Sequence, residues 1–259
     1  MMEALTYPSA RQVVVCGDIH GSFISLVHKV CIQYGMKDTL VIVAGDCGFG
    51  FGKQAYYEDI IYRKVARRLS AANNWIVMLR GNHDDPSYFR ESKMSHGRFR
   101  TVPDYTIVRS CGHTILLVGG ATSIDRNYRK NEMKKSHRPL YWPDEAPCYD
   151  ADALAAIKDK YEVDSVVTHT APSFCEKDSH VGLQEWAMYD STLIEDCRRE
   201  REVMDRLFRT LKDDGHPLGK WFYGHFHSSW YSVIQDTAFS MLDIMELKVM
   251  WDDDCHENN

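Results

Sequence analysis

Residues 76–85 read IVMLRGNHDD: an apolar run that stops at Arg80-Gly81 and then sets down Asn82, His83, Asp84 and Asp85. An amide, an imidazole and two carboxyls are costly to bury unless a charge or a hydrogen-bond partner meets them. The same break recurs along the chain. Val13–Cys16 precedes Gly17-Asp18, Leu40–Ala44 precedes Gly45-Asp46, and Trp75–Leu79 precedes Arg80-Gly81-Asn82. Ser165–Val167 precedes Thr168-His169, and Trp221–Tyr223 precedes Gly224-His225. Short β-branched and aromatic runs bounded by glycine read as buried strands. Between the first three, Ser22–Tyr34 and Tyr56–Ala72 read as helices, the second with Ile60, Ile61, Val65, Arg68 and Leu69 at helical spacing. Strand and helix in alternation predict an α/β fold, a mostly parallel or mixed sheet covered by helices.

Further on, Tyr105–Ser110 and His113–Gly119 predict a hairpin turning at Cys111-Gly112. Residues 121–147 carry three prolines and few strand or helix signals, which predicts a long functional loop inserted in one domain spanning 1–259. Asp150–Tyr161 and Leu193–Leu211 predict helices, the latter with Leu193, Cys197, Met204, Leu207, Phe208 and Leu211 as one core-facing stripe. Trp230–Gln235 and Phe239–Trp251 read as closing strands before a frayed tail, DDDCHENN. A chain of 259 residues can bury one substantial core. A formal charge of -6 argues against a general nucleic-acid surface, and no apolar run approaches a membrane span. The amino-terminal MMEALTYPSARQ lacks a secretory core and the eight cysteines form no CxxC pair, so reduced thiols in a cytoplasmic protein are expected.

In open α/β sheets side chains converge where strands end, and ligands gather there. Here those ends bring Asp18 and His20, Asp46, Asn82 and His83, His169, and His225 and His227. Any one has a structural explanation: Asp18 could cap the following helix, and isolated histidines such as His113 or His137 are ordinary satisfied residues. Repetition at five strand ends points instead to metal. Oxygen and imidazole donors without thiolate suit Mn, Fe, Zn or related divalent ions. There are too many donors for one ion that keeps an open position. Two ions roughly 3.5–4 Å apart, sharing a carboxylate, would use them.

The ordered blocks GDIHG (17–21), GDCGFG (45–50), GNHD (81–84), THT (168–170) and GHFH (224–227) resemble the calcineurin-like metallophosphoesterase superfamily, from Val13 to about His227. The resemblance implies a central β-sandwich of mixed sheets flanked by helices, in four layers, with two divalent metals, of which Mn leads over Fe, Zn or Ni. It implies that Asp18, His20 and His227 hold one metal, that Asn82, His169 and His225 hold the other, and that Asp46 bridges. His83 then holds no metal and is the catalytic proton donor beside the phosphate. The implied reaction is in-line hydrolysis of a phosphomonoester or phosphodiester by a metal-bridging hydroxide. Two cations neutralise phosphate charge and acidify water, and Asn82 adds oxygen without a third negative charge.

The chain departs from the Ser/Thr protein phosphatases of that superfamily. Their GDxxDRG would place an acid at 49 and an arginine at 50, where Phe49 and Gly50 stand, and Asp84 stands for their Glu. The family's acidic partner of His83 is therefore missing, which leaves Asp84 or a lowered His83 pKa to fill its place. Phosphate recognition falls to Arg126 and Arg129, with Tyr141 and Trp142 placed to stack on an aromatic group. A small bacterial-type phosphoesterase acting on a nucleotide, cyclic nucleotide or other small phosphorylated substrate is the expectation, with nucleic acid not favoured. A nuclease and a non-catalytic metal-binding scaffold are the alternatives. The sequence leaves oligomeric state open.

Overall fold

The computed structural model describes residues 3–175 and 182–253. The chain begins with β1 (Leu5–Thr6), β2 (Gln12–Cys16), α1 (Phe23–His28), β3 (Thr39–Val43), α2 (Gln54–Asp59), α3 (Ala66–Ala71) and β4 (Trp75–Met78). α1 runs on through a π-helical turn, Lys29–Gln33, and a second, Ile60–Val65, joins α2 to α3. α4 (Ser87–Arg90), β5 (Ser95–His96) and β6 (Phe99–Thr101) follow, then the hairpin β7 (Thr106–Ser110) and β8 (His113–Val118). The second half carries α5 (Arg126–Ser136), α6 (Ala151–Lys158), β9 (Ser165–Thr168), α7 (Leu183–Ala187) and α8 (Leu193–Asp213). It closes with β10 (Lys220–Tyr223), β11 (Trp230–Ile234), β12 (Thr237–Met241) and β13 (Leu247–Asp252).

Among the described residues the strands form two mixed sheets, ordered β13-β2-β3-β4-β6-β5 and β1-β7-β8-β9-β10-β12-β11. β2, β3 and β4 run parallel in the first, and β8, β9 and β10 run parallel in the second. Alternation along β3 shows why both faces are apolar. Leu40 and Ile42 point between the sheets, against Val13, Val15, Ile115, Leu117, Val167 and Phe222. Val41 and Val43 point outward, onto Phe23, Leu26 and Leu69 of the covering helices. The other sheet repeats this, packing Leu116, Val166 and Trp221 against Leu154, Met204, Leu207 and Phe208 of α6 and α8. Strands buried on both faces read as continuous apolar runs. The layers are helix, sheet, sheet, helix, as the fold class predicted.

Three expectations change. Residues 121–147 are not without regular structure: they carry α5, eleven residues of RNYRKNEMKKS. Phe239–Trp251 is not one strand. It breaks into β12 in one sheet and β13 in the other, with residues 242–246 between and Met245 at φ 56°. The segment after β4 holds α4 and the β5–β6 pair, which the sequence did not signal. Of the expected frayed tail, residues 254–259, Cys255 included, lie outside the described residues. The seven described cysteines are free.

Candidate metal centre

Each predicted ligand follows a parallel strand: Asp18 and His20 after β2, Asp46 after β3, Asn82 after β4, His169 after β9, His225 and His227 after β10. Because both sheets end their parallel strands at the same edge of the sandwich, these loops meet. His20 and Gly21 donate amides to the Asp46 and Cys47 carbonyls, and the Gly224 amide bonds the His169 carbonyl, so the loops also fix one another. Close approach requires glycine at two of them. A Cβ at Gly81 would lie 2.1 Å from Asp46 Oδ1, and one at Gly224 would lie 2.2 Å from Asp18 Oδ1.

Asp18, His20, Asp46 and His227 bring ligand atoms within 4.8 Å of one another. His227 Nε2 is 3.0 Å from Asp18 Oδ2 and 3.1 Å from His20 Nε2. His20 Nδ1 lies 3.9 Å from Asp46 Oδ2. On the other side of Asp46, His169 Nε2 is 3.2 Å from Asp46 Oδ1 and 3.0 Å from Asn82 Oδ1. The His225 ring stacks at a tilt on that of His169, centroids 4.9 Å apart, and its backbone N–H donates to Asp18 Oδ1. All seven sequence-predicted ligands are thus brought to one place, with Asp46 between two groups.

The tautomers argue for a cation. His169 Nδ1 donates to the Ala44 carbonyl at 2.7 Å, which leaves Nε2 with a lone pair aimed at a carboxylate and an amide oxygen. Asn82 Nδ2 donates to Ser123 Oγ, so its oxygen faces inward by necessity. Three acceptor atoms in contact repel unless something positive joins them. In the bare chain a proton does so: burial works against the charged imidazole, yet Asp46 and Asp18 carry His169 up to about 10. Burial likewise opposes charge on Asp46, but His83, His169 and His20 hold it well below the usual carboxylate range. His227 is raised by its hydrogen bond to Asp18. A divalent cation would replace the proton with a stronger charge, so the donor set fits.

Four of these residues hold left-handed backbone without being glycine: His20 (φ 43°), Asp46 (44°), His225 (69°) and His227 (48°). Such conformations collect at functional sites because surrounding contacts must enforce them.

His83 lies at the rim, its backbone N–H bonded to Asp46 Oδ1. Its expected partner Asp84 does not reach it. Asp84 is buried and accepts four amides, from Cys47, Gly48, Phe49 and Gly81, clamping two ligand loops together. Burial, then the Asp46 charge, holds that carboxyl up at about 7 against those donors. Asp85 caps the next turn by accepting from the Ser87 amide. The ring of His83 is met on one side by Asp46, whose Oδ2 is 3.5 Å from Nδ1, and on the other by Arg129, whose Nη2 sits 2.6 Å from Nε2 while its Nε bonds Asp125 at 2.6 Å. Burial lowers the His83 pKa against the opposing pull of the Asp46 carboxylate, and the Arg129 charge adds to the lowering.

Arg126 faces elsewhere. Its guanidinium is buried against Asp190, Asp196 and Thr192, away from the ligands. Of the aromatics expected to stack on a substrate, Tyr141 is buried, and Trp142 packs edge-on to Phe51 at 5.2 Å. Ser123, in the stretch expected to recognise phosphate, and Glu145, unsuspected from sequence, instead support the centre: Glu145 accepts from both the amide and the hydroxyl of Ser123, 2.7 Å each. His113 pairs with Asp164 far from the site, as a structural histidine does.

A sequence model of the calcineurin-like phosphoesterases matches residues 11–229. No curated protein sequence matches the chain. Among solved structures, a dimetal phosphatase from Danio rerio is similar with a TM-score of 0.50 at 12% identity, over 92% of this chain and 88% of that one. GAP50, described as the anchor in the inner membrane complex of Plasmodium, gives 0.45 at 11% over 90% and 71%. A putative 5'-nucleotidase from Staphylococcus aureus gives 0.43 at 10% over 92% and 49%. At such identities these likenesses concern fold alone. The family match, spanning every ligand loop just described, places the chain among its members: it belongs to the calcineurin-like phosphoesterase family.

Proposed function

We propose that the protein is a phosphoesterase that binds two divalent metals and hydrolyses a small organic phosphomonoester or phosphodiester. The observation that carries this reading is the convergence of carboxylate, amide-oxygen and imidazole ligand atoms on both sides of Asp46, together with His83 and an arginine at the rim. When bound, two divalent ions neutralise phosphate charge and lower the pKa of water.

The chain's own groups do the rest. Asp18, His20 and His227 would hold one ion, Asn82, His169 and His225 the other, and Asp46 both. Arg129, fixed by Asp125, presents its remaining N–H groups to the cleft that contains Asp46, Asn82 and His83, where an anionic phosphate would be received. A phosphate oxygen is a better acceptor than a neutral imidazole, so substrate would draw Arg129 off His83 Nε2. That nitrogen is then free to take up a proton from water and pass it to the leaving oxygen. Ser123 and Glu145 keep the Asn82 oxygen turned inward.

The test is hydrolysis of p-nitrophenyl phosphate and its bis ester with Mn, Ni, Zn and Mg in turn, alongside metal content. Asp46→Asn should lose metal loading and turnover together, turnover by at least about a thousandfold. Full turnover in that variant would sink the assignment.

A further inference from the structure

The ligand cluster opens onto two clefts that share His83 and Arg129. One, of about 450 Å³, contains the metal-side groups Asp46, Asn82, His225 and His227. The other, of about 540 Å³, begins at His20 and has a different character: beyond the shared pair its walls are Phe23, Phe51, Tyr56 and Tyr57, with Gly21, Gly48 and Gly52 between them. That is far more room than a phosphate needs, and within the range of small-molecule sites.

The two outer rings are positioned by neighbours but not covered. Phe51 stands edge-on to Trp142 at 85°, and Tyr56 edge-on to Tyr57 at 70°. Tyr57 is itself pinned, accepting from the Gly52 amide and donating to the Gly48 carbonyl. Yet Phe51 remains 39% and Tyr56 57% exposed. Held aromatic rings facing open space beside a polar centre form a platform for another flat ring. A Cβ at Gly21 would touch nothing, so the entrance from the His20 side is open.

We propose that this second cleft is the subsite for a planar aromatic substituent of the phosphoester, which stacks on Phe51 and Tyr56 while the phosphate sits at His83 and Arg129. The inference rests on the phosphoesterase reading and narrows it: esters carrying a nucleobase or an aryl ring are preferred over aliphatic ones. Trp142 serves by propping Phe51 rather than by stacking on the substrate.

The experiment compares kcat/KM of the Mn-loaded protein on adenosine 5'-monophosphate, p-nitrophenyl phosphate and glycerol 3-phosphate, each also as its methyl diester. Variants are Phe51→Ala, Phe51→Leu and Tyr56→Ala, with Tyr34→Ala, an exposed aromatic outside the cleft, as control. Calorimetric binding of adenosine gives a readout that needs no turnover, and thermal melts confirm folding. The aromatic-over-glycerol ratio should fall about tenfold in both alanine variants, less in Phe51→Leu, and hold in the control. A fall on the adenosine ester alone assigns a nucleobase; a fall on both aromatic esters assigns any aryl ring. Ratios and adenosine binding unchanged in Phe51→Ala and Tyr56→Ala overturn the subsite, while hydrolysis itself continues. No hydrolysis of any ester, with adenosine binding weakened in those variants, overturns the phosphoesterase reading and leaves the subsite standing.

Discussion

Arg126 and Arg129 are three residues apart on one helix and do different work. Arg126 is held by three partners on the segment leading into and beginning α8, so its loss leaves the half-buried Asp190 without its two-pronged partner. Arg126→Ala should cost roughly 1–2 kcal/mol of stability and leave KM nearly unchanged. Arg129→Ala should raise KM for every hydrolysed ester by about tenfold or more with little change in melting temperature. Equal effects on KM would refute the division. The residue scale also explains why neither position 49 nor Asp84 supplies an acid to His83, whose Nδ1 has the Asp46 carboxylate at 3.5 Å instead. Phe49 is fully buried among Phe23, Tyr57, Tyr88 and Phe89, with ring centroids 5.0 to 5.8 Å away. That position belongs to the core, and a carboxylate there could not be solvated. Asp84 has both oxygens engaged by amides. His83 is therefore met by an arginine 46 residues away, a contact that no local pattern announces.

At the scale of elements, the ligand loops were legible because each obeys a local rule: an apolar strand ends, a glycine or tight turn follows, and a donor appears. α5 obeys none. Met133 is its one large aliphatic side chain and its remaining residues are polar or aromatic, so the helical period leaves no hydrophobic trace. The break between β12 and β13 was hidden for the opposite reason. Both halves are apolar because each feeds a core, and hydrophobicity does not say which sheet receives a strand. α5 matters because the loop before it brings Ser123 under Asn82. Ser123→Ala removes the acceptor for Asn82 Nδ2 and frees the amide to turn. Affinity for one of two metals should drop about tenfold by calorimetry, the other site being unaffected. Two equally weakened sites, or none, would show that Asn82 is held by something else.

At the scale of the molecule, two carboxyls are buried near one another, Glu145 between α5 and α6 and Glu200 on the inner face of α8. Burial pushes Glu145 up to about 8 and raises Glu200 as well, against the hydrogen bonds each accepts. An acid whose folded pKa exceeds its unfolded value favours the folded state fully only at low pH. The contribution of Glu145 should be intact below about pH 4.5 and lost as pH rises through about 8. Glu145→Gln, which mimics the protonated form, should pull ahead of the native protein in melting temperature over that window, and parallel curves would count against it. A different consequence attaches to the left-handed backbone at His20, Asp46, His225 and His227. Each such position costs the fold about 1 kcal/mol that glycine would recover. His20→Gly, at a partly exposed side chain, should raise the melting temperature of the metal-free protein by about 2–4 °C and abolish loading of its metal. A library of this chain selected for foldedness alone would therefore drift towards glycine and asparagine at these four positions, as at the other left-handed positions among the described residues. The centre would be erased by improvement, with no selection against activity needed to remove it.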